Sequence, residues 1–135
     1  MSDRPFLDTC VFVYALSDGD SRQDRAIDVI GRGGKISIQI LNELGNVCRK
    51  KMGMSWDEIS GALMAARHFC PEPVPLTLSL HERAVDLGRR FGFSVYDCVM
   101  VSAALEADCR ILYTEDLQHD QTIDGLRVVN PFRDL

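Results

Sequence analysis

The chain has 135 residues, of which 46% are hydrophobic and 26% are charged, and its formal net charge is −5. This length and composition are typical of one globular domain with a sizeable core, and they exclude intrinsic disorder and membrane-spanning segments. The negative charge argues against a domain that holds nucleic acid by bulk electrostatics. The five cysteines show no C-x-x-C pair and no zinc-type spacing, so we expect them to be reduced core residues.

Short apolar runs and amphipathic stretches alternate along the chain. Short runs beside turn residues are typical of buried strands, whereas apolar residues at helical spacing indicate helices with one buried face. Ser-x-x-Glu sequences at 55–58 and 79–82 read as capping boxes that open helices, and the prolines at 71–75 interrupt a helix. In chain order, the sequence predicts a strand at 4–9, helices at 11–16 and 21–30, a strand at 35–38, helices at 40–52 and 55–70, a weak strand at 76–78, helices at 79–92 and 94–105, and strands at 110–114 and 126–130. This alternation predicts an α/β fold with a mainly parallel sheet covered on both faces.

The helix predicted at 94–105 is apolar on nearly every face and carries one carboxylate, Asp97, near its start. Such a helix belongs inside a domain, where an unpaired charge costs several kcal/mol. One interpretation is that Ser94 and Asp97 resemble a capping box, in which the N-terminal N–H groups favour the negative charge. The other is that Asp97 meets further carboxylates across a divalent cation.

Two more acids, Asp8 and Asp116, directly follow predicted strands, and a third, Glu43, lies on the rim of a helical stripe. Because ligands of parallel α/β sheets bind at the carboxyl ends of strands, Asp8 and Asp116 are expected at the same edge. Structural roles are open for each acid. Asp8 could cap the next helix, Glu43 could be a solvated surface residue, and Asp116 could form a turn while Glu115 serves as the ligand.

Together, the four acids Asp8, Glu43, Asp97 and Asp116 resemble the acidic quartet of PIN-domain ribonucleases. The resemblance is carried by Phe6 to Thr9, Asn42 to Leu44, Tyr96 and Asp97 leading into 101–105, and Leu112 to Asp116. The segment 126–132 is similar to the end of VapC-type toxins of bacterial toxin–antitoxin pairs. The resemblance implies a single PIN domain over residues 1–135, a three-layer α/β/α sandwich with a central sheet of four to five strands.

The resemblance also implies an endoribonuclease that uses Mg²⁺ or Mn²⁺. Asp8, Asp97 and Asp116 would be direct metal ligands, with Glu43 bound through water or orienting a base. Oxygen ligands suit Mg²⁺, and a metal-bound water is more easily deprotonated. The supporting residues expected around these acids are the hydroxyl groups of Thr9 and Thr114, with Asp120 either a fifth acid or a loop residue.

Further implications of the family are an RNA substrate, a cognate antitoxin that covers the acidic site, and a homodimer. No cationic lead followed by an apolar run opens the chain, so no signal peptide is predicted and a cytoplasmic location is expected. The basic residues at 49–51 and 89–90 either compensate helix C-termini or contact RNA phosphates.

Two alternatives to a nuclease are open. Cys10 stands where such proteins often carry asparagine after Asp-Thr, which would suit a PIN-fold binding module with impaired catalysis. A receiver-like phosphoacceptor domain has a similar length and pattern, but it needs an acidic pair after the first strand and a lysine after the last. Here Asp8 is followed by Thr9, and Asn130 occupies the lysine region.

Overall fold

The computed structural model of the protein describes residues 3–135. Within this range the chain forms six helices and four strands, and helices separate the first strand from the rest. The elements are β1 (Phe6–Leu7), α1 (Thr9–Ala15), α2 (Gln23–Gly31), α3 (Ile38–Lys50), α4 (Trp56–Phe69), α5 (Leu78–Phe91), α6 (Val95–Glu106), β2 (Ile111–Tyr113), β3 (Thr122–Ile123) and β4 (Leu126–Val129). The predicted α/β class is therefore confirmed.

The four strands form one sheet in the order β1-β2-β4-β3. β1 pairs with β2 and β2 with β4 in parallel, whereas β3 is antiparallel to β4. Phe6 lies opposite Leu112, which in turn lies opposite Val128, and all three side chains are fully buried. Because residues paired in register share a face, this face of the sheet is fully covered, whereas the neighbouring residues of β2 and β4 are less buried. The prediction of a mainly parallel sheet is confirmed.

The last long helix, α6, packs against α5 and α3. Its buried residues include Val101, Ala103 and Ala104, and the small alanine side chains allow a close approach of neighbouring backbone. The buried hydroxyl of Ser102 donates a hydrogen bond to the carbonyl oxygen of Leu80 in α5 (2.8 Å). The apolar character of this helix is thus explained by burial, except at its first turn, which is open to solvent.

The strand predicted at 35–38 is wrong. Lys35 and Ser37 make only isolated bridges, and α3 begins at Ile38 because the Ser37 hydroxyl caps it by accepting from the Ile40 N–H (3.2 Å). The segment Lys-Ile-Ser-Ile alternates like a strand, but its serine satisfies a free N–H group of the helix that follows.

The weak strand at 76–78 and the capping box at 79–82 are also wrong. Helix α5 starts earlier, at Leu78, and its cap is Thr77, which accepts from the Leu80 N–H (3.1 Å). The other predicted capping box is confirmed, since Ser55 and Glu58 bond reciprocally at the start of α4. Strand β3 was not predicted.

Residues 3–135 contain no helix of the length and apolarity that crossing a membrane requires.

Candidate active site

Asp8 stands at the junction of β1 and α1 and is 5% exposed. Its Oδ1 atom accepts a hydrogen bond from the Thr9 N–H (2.6 Å), and its Oδ2 atom accepts one from the Thr114 hydroxyl (2.7 Å). Its own N–H donates to the Tyr113 carbonyl oxygen in β2 (3.0 Å). Asp8 therefore caps α1, as one interpretation of the sequence held, and both of its carboxylate oxygens are fixed in orientation.

The pKa of Asp8 is raised from 3.8 to about 7. Burial is the largest cause, and the charge and hydrogen bond of Asp116 add to it. The hydrogen bonds from Thr114 and Thr9 act in the opposite direction because they stabilise the carboxylate. Asp8 is thus a desolvated acid beside another acid, and a nearby cation would favour its charged form.

Asp116 is tied to Asp8 through Thr114, the buried residue that follows β2. While the Thr114 hydroxyl donates to Asp8, its oxygen accepts a hydrogen bond from the Asp116 N–H (3.1 Å). The parallel pairing of β1 with β2 brings Asp8 and Thr114 together although they are 106 positions apart in the chain. As predicted from their positions after strands, Asp8 and Asp116 lie at one edge of the sheet.

Glu43 reaches the same region from α3. Its Oε2 atom accepts a hydrogen bond from the Thr9 hydroxyl (3.1 Å), and its Oε1 atom accepts one from the Gln39 amide (3.3 Å). One interpretation of the sequence is that Glu43 is a solvated surface residue. Its side chain is instead half-buried. Thr9 and Thr114 thus make the contacts to acids that were expected of them.

Asp8, Glu43 and Asp116 line one cleft of about 530 Å³. Glu115 also lines it and accepts a hydrogen bond from the hydroxyl of Tyr14 in α1. The remaining lining residues are Thr9, Cys10, Val13, Tyr14, Asn46, Val47 and Lys51. Four carboxylates therefore face a single cavity, and only one lysine accompanies them there.

Tyr14 was not singled out from the sequence. The guanidinium of Arg22 lies 3.7 Å from its ring centroid and donates to its hydroxyl oxygen (2.7 Å), while Asp20 binds the same guanidinium. The pKa of Tyr14 is raised, first by burial and then by Glu115. A signal was present in the sequence, because Cys10, Val13 and Tyr14 fall on one helical face after Asp8.

Asp97 lies in the first turn of α6, where its N–H donates to the Ser94 hydroxyl (3.3 Å). Its pKa is raised, first by burial and also by the charge of Asp116, against the lowering effect of its hydrogen bond with Ser94. Asp97 is not among the residues that line the cleft. Both interpretations of this residue thus retain support, since it sits at a helix N-terminus and also feels the charge of Asp116.

Asp120, considered as a fifth acid, is engaged elsewhere. It is paired with Arg127 (2.6 Å) and with His119 (3.4 Å), and Arg127 lowers its pKa. Its left-handed backbone, with φ of 67°, is typical of a loop residue. Among residues 3–135, the ion pairs and hydrogen bonds of Asp120 involve none of the four predicted acids, so the loop interpretation describes it.

Cys10 does not displace Asp8. Its sulfur lies 4.0 Å from Asp8 Oδ2, and burial raises the pKa of its thiol, which keeps the group neutral. Because the threonines already hold both oxygens of Asp8, the residue at position 10 is not what orients this acid.

The donor set suits a hard cation, although the side chains are not closed around one. No group of three or more His, Cys, Asp or Glu side chains within the described range is arranged to hold a metal ion. Oxygen ligands and room for bound water are what Mg²⁺ requires, and the cleft offers both. The pKa of Asp8 is raised first by burial and then by repulsion from Asp116, and a divalent cation would relieve that repulsion.

The fold and the acidic cleft define a class of protein. The family model described as "PIN domain" matches residues 6–124, so the chain belongs to the PIN domain family, which rules out the receiver-like alternative. A comparison with curated proteins found no match.

Three solved structures share the fold. A toxin–antitoxin complex from Klebsiella pneumoniae aligns with a TM-score of 0.71 at 20% identity, over 94% of this chain and 97% of that chain. The sarcin–ricin loop-cleaving toxin VapC20 from Mycobacterium tuberculosis gives a TM-score of 0.65 at 19% identity, over 82% and 88%. VapBC2 from Rickettsia felis, bound to a DNA fragment from the VapBC2 promoter, gives a TM-score of 0.64 at 18% identity. The alignment covers 91% of this chain and 95% of that chain.

Proposed function

We propose that residues 1–135 form a single PIN domain that acts as a metal-dependent endoribonuclease, the toxin of a toxin–antitoxin pair. The observation that carries the proposal is that Asp8, Glu43 and Asp116 line one cleft, with the pKa of Asp8 raised to about 7 by burial and by Asp116. Such perturbed carboxyl groups in a cleft are typical of functional sites. A cation there would let phosphate approach four carboxylates that otherwise repel it.

We assign Asp8, Asp97 and Asp116 as ligands of Mg²⁺ or Mn²⁺, with Glu43 bound through water. When bound, the metal would supply an activated water and would stabilise the charge that develops on the phosphate. The chain's own contribution is orientation, because Thr9 and Thr114 fix Asp8 while Thr9 also holds Glu43. Glu43 lines the cleft, from where its carboxylate could hold a water of the metal or orient a base.

Cleavage of total RNA tests this function. We expect cleavage with Mg²⁺ or Mn²⁺, none with EDTA, and none from Asp8→Asn or Asp97→Asn variants. Asp108→Asn is the matched control, because Asp108 is an exposed loop residue with φ of 56°, a conformation that asparagine also adopts. Cleavage that survives EDTA would contradict a metal mechanism. A folded wild-type protein that binds RNA without cutting it would instead indicate the impaired binding module.

The partners follow from the same class. Two of the structural relatives are toxin–antitoxin assemblies, which supports a cognate antitoxin as the partner. The third is a sarcin–ricin loop-cleaving toxin, which supports an RNA substrate. A toxin of this kind acts in the cytoplasm, where its RNA and its antitoxin are. Co-expression with the neighbouring open reading frame should yield a stable complex that no longer cuts RNA, and persistent activity of that complex would contradict the assignment.

We also propose a homodimer. Leu78, Val95 and Tyr96, at the starts of α5 and α6, are 71%, 69% and 64% exposed. Leu78 lines one cavity and Val95 lines a second, and the two cavities share His81 and Val99, so Leu78 and Val95 border one continuous surface. Contiguous apolar surface of this kind is typical of an interface.

Sedimentation tests the dimer. The Leu78→Glu variant should sediment as a monomer, whereas Met64→Glu, which changes an equally exposed apolar residue on α4, should stay dimeric. A monomeric wild-type protein would contradict the proposal.

A further inference from the structure

The acidic cleft has a basic end, which is formed by Lys51. The α3 side of the cleft is lined by Glu43, Asn46, Val47 and Lys51, whose spacing of three, four and eight residues from Glu43 keeps them on one helical face. Leu44 and Cys48 on the same helix point into the core. The cleft therefore extends along α3 from a carboxylate at one end to an ammonium group at the other.

The charge of Lys51 is available to a ligand. Across the part of the chain that the structure describes, no carboxylate forms an ion pair with it. Arg49 is engaged differently, since it donates to the Met54 carbonyl oxygen (3.0 Å) and lies 5.5 Å from the ring centroid of Trp56. Lys50 is not among the residues lining the cleft. The structure thus distinguishes Lys51 within the basic segment at 49–51.

The separation of Glu43 and Lys51 along α3 allows Lys51 to contact a different part of a bound ligand from the part that the acids contact. Glu43 and Lys51 are eight residues apart, which places their backbones about 12 Å apart along the helix axis. A polyanion that lies along the cleft would therefore meet the carboxylates at one end and Lys51 at the other.

We propose that Lys51 binds a backbone phosphate next to the cleaved bond, so that a single strand of RNA lies along α3 from Glu43 to Lys51. This inference rests on the ribonuclease function proposed above. Phosphate contacts of this type position a strand without reading its sequence, and a flexible lysine serves as a point charge for them. The exposed amide of Asn46 lies between the two ends, where it can hydrogen-bond to a ribose or base. Lys51 is thus a binding residue for substrate.

A matched pair of variants tests the inference. Lys50→Ala and Lys51→Ala each remove one positive charge from the C-terminal end of α3, so any effect through the helix dipole is common to both. With a fluorescein-labelled single-stranded RNA, Lys51→Ala should raise KM about threefold to fivefold and leave kcat unchanged, as expected for loss of one exposed charge contact. The slope of log(kcat/KM) against log salt should fall by about 0.7. Lys50→Ala should match the wild type, and Lys51→Arg should restore KM.

Fluorescence anisotropy with the same RNA and Mg²⁺, in the Asp97→Asn background that is expected not to cut RNA, gives a readout without cleavage, and adding Lys51→Ala should show the same loss of affinity. If the wild type cuts RNA but the two alanine variants behave alike, or if kcat falls while KM stays constant, this inference is wrong and the ribonuclease stands. If the wild type neither cuts nor binds RNA, the proposed function fails and the inference fails with it.

Discussion

Asp8 should destabilise the metal-free protein at neutral and alkaline pH. Its pKa is 3.8 in the unfolded chain and about 7 in the folded chain, so between these pH values the folded state binds more protons than the unfolded state. Stability from this group is then fully present below about pH 4 and is lost as pH rises through 7. The difference between the two pKa values corresponds to about 4 kcal/mol, at roughly 1.36 kcal/mol for each unit of pKa.

The Asp8→Asn variant removes this dependence while its side-chain oxygen can still accept from the Thr9 N–H. About 2 to 3 kcal/mol of the total should appear between pH 5 and pH 8, where the unfolded carboxyl is ionised and the folded one loses its proton. The carboxyl groups outside the cleft whose pKa is shifted, such as Asp20 and Asp134, are common to both proteins and cancel in the difference. The Asp8→Asn variant should therefore gain about 2 to 3 kcal/mol of stability relative to the wild type from pH 5 to pH 8.

Urea unfolding followed by circular dichroism, in EDTA at about pH 5 and about pH 8, measures this change. The Asp108→Asn variant, which makes the same change at an exposed loop position, is the matched control. A constant difference between Asp8→Asn and the wild type, or one that moves in the opposite direction, would refute the argument that burial and Asp116 raise the pKa of Asp8. Adding Mg²⁺ at the higher pH should stabilise the wild type and not the variant, if Asp8 is a ligand.

Three further outcomes are expected. Thr114→Val removes the hydroxyl that joins Asp8 to Asp116, so the rate of RNA cleavage should fall about 10-fold to 100-fold. Thr114→Ser retains a hydroxyl and should retain most of the activity. An equal loss in the two variants would contradict this role of the hydroxyl. Tyr14→Phe keeps the ring but loses the hydrogen bonds that the hydroxyl makes with Glu115 and Arg22, so the free energy of unfolding in urea should drop by about 1 to 2 kcal/mol, and no change would mean that these bonds are not formed in solution. Gly34→Ala should cost about 1 to 3 kcal/mol by thermal unfolding, because its Cβ would meet Leu7 and Pro5 at 2.9 Å. At Gly61 in α4 an added Cβ would meet no atom within 4 Å, so Gly61→Ala should stabilise the protein by up to about 1 kcal/mol. Equal effects of Gly34→Ala and Gly61→Ala would refute the packing argument.

The elements that the sequence predicted well are those with local signals. Ser55 and Glu58 opened a helix as expected, and the apolar residues around Val101 were buried as expected. Residues 35–38 failed because alternation alone cannot separate a strand from the capped start of a helix. Strand β3 has two residues, and it pairs with β4 through a turn at Asp124 and Gly125, both with positive φ. Such Asp-Gly pairs are a hairpin signal that apolar runs do not reveal.

Long-range contacts of the cleft could not be predicted to the same degree. That Asp8 and Asp116 share an edge followed from their positions after parallel strands. The bonds from Thr114 to Asp8 and from Thr9 to Glu43 depend on strand register and on helix docking, which no local pattern specifies. For the same reason, the sequence could not tell that Asp97 would lie outside the cleft lining while still sensing Asp116.

Capping and catalysis were weighed as alternatives for Asp8, but its geometry allows both. Its Oδ1 atom satisfies an N–H group at the start of α1, while its Oδ2 atom is held by Thr114 at the sheet edge, beside Asp116. Asparagine caps helices about as well as aspartate, whereas alanine loses about 1 kcal/mol there. Asp8→Asn therefore separates the two roles, because it removes the charge and keeps the cap. A loss of RNA cleavage in Asp8→Asn, together with a gain in metal-free stability at alkaline pH, can then be assigned to the loss of the charge and of the oxygen that accepts from Thr114, and not to the loss of the cap.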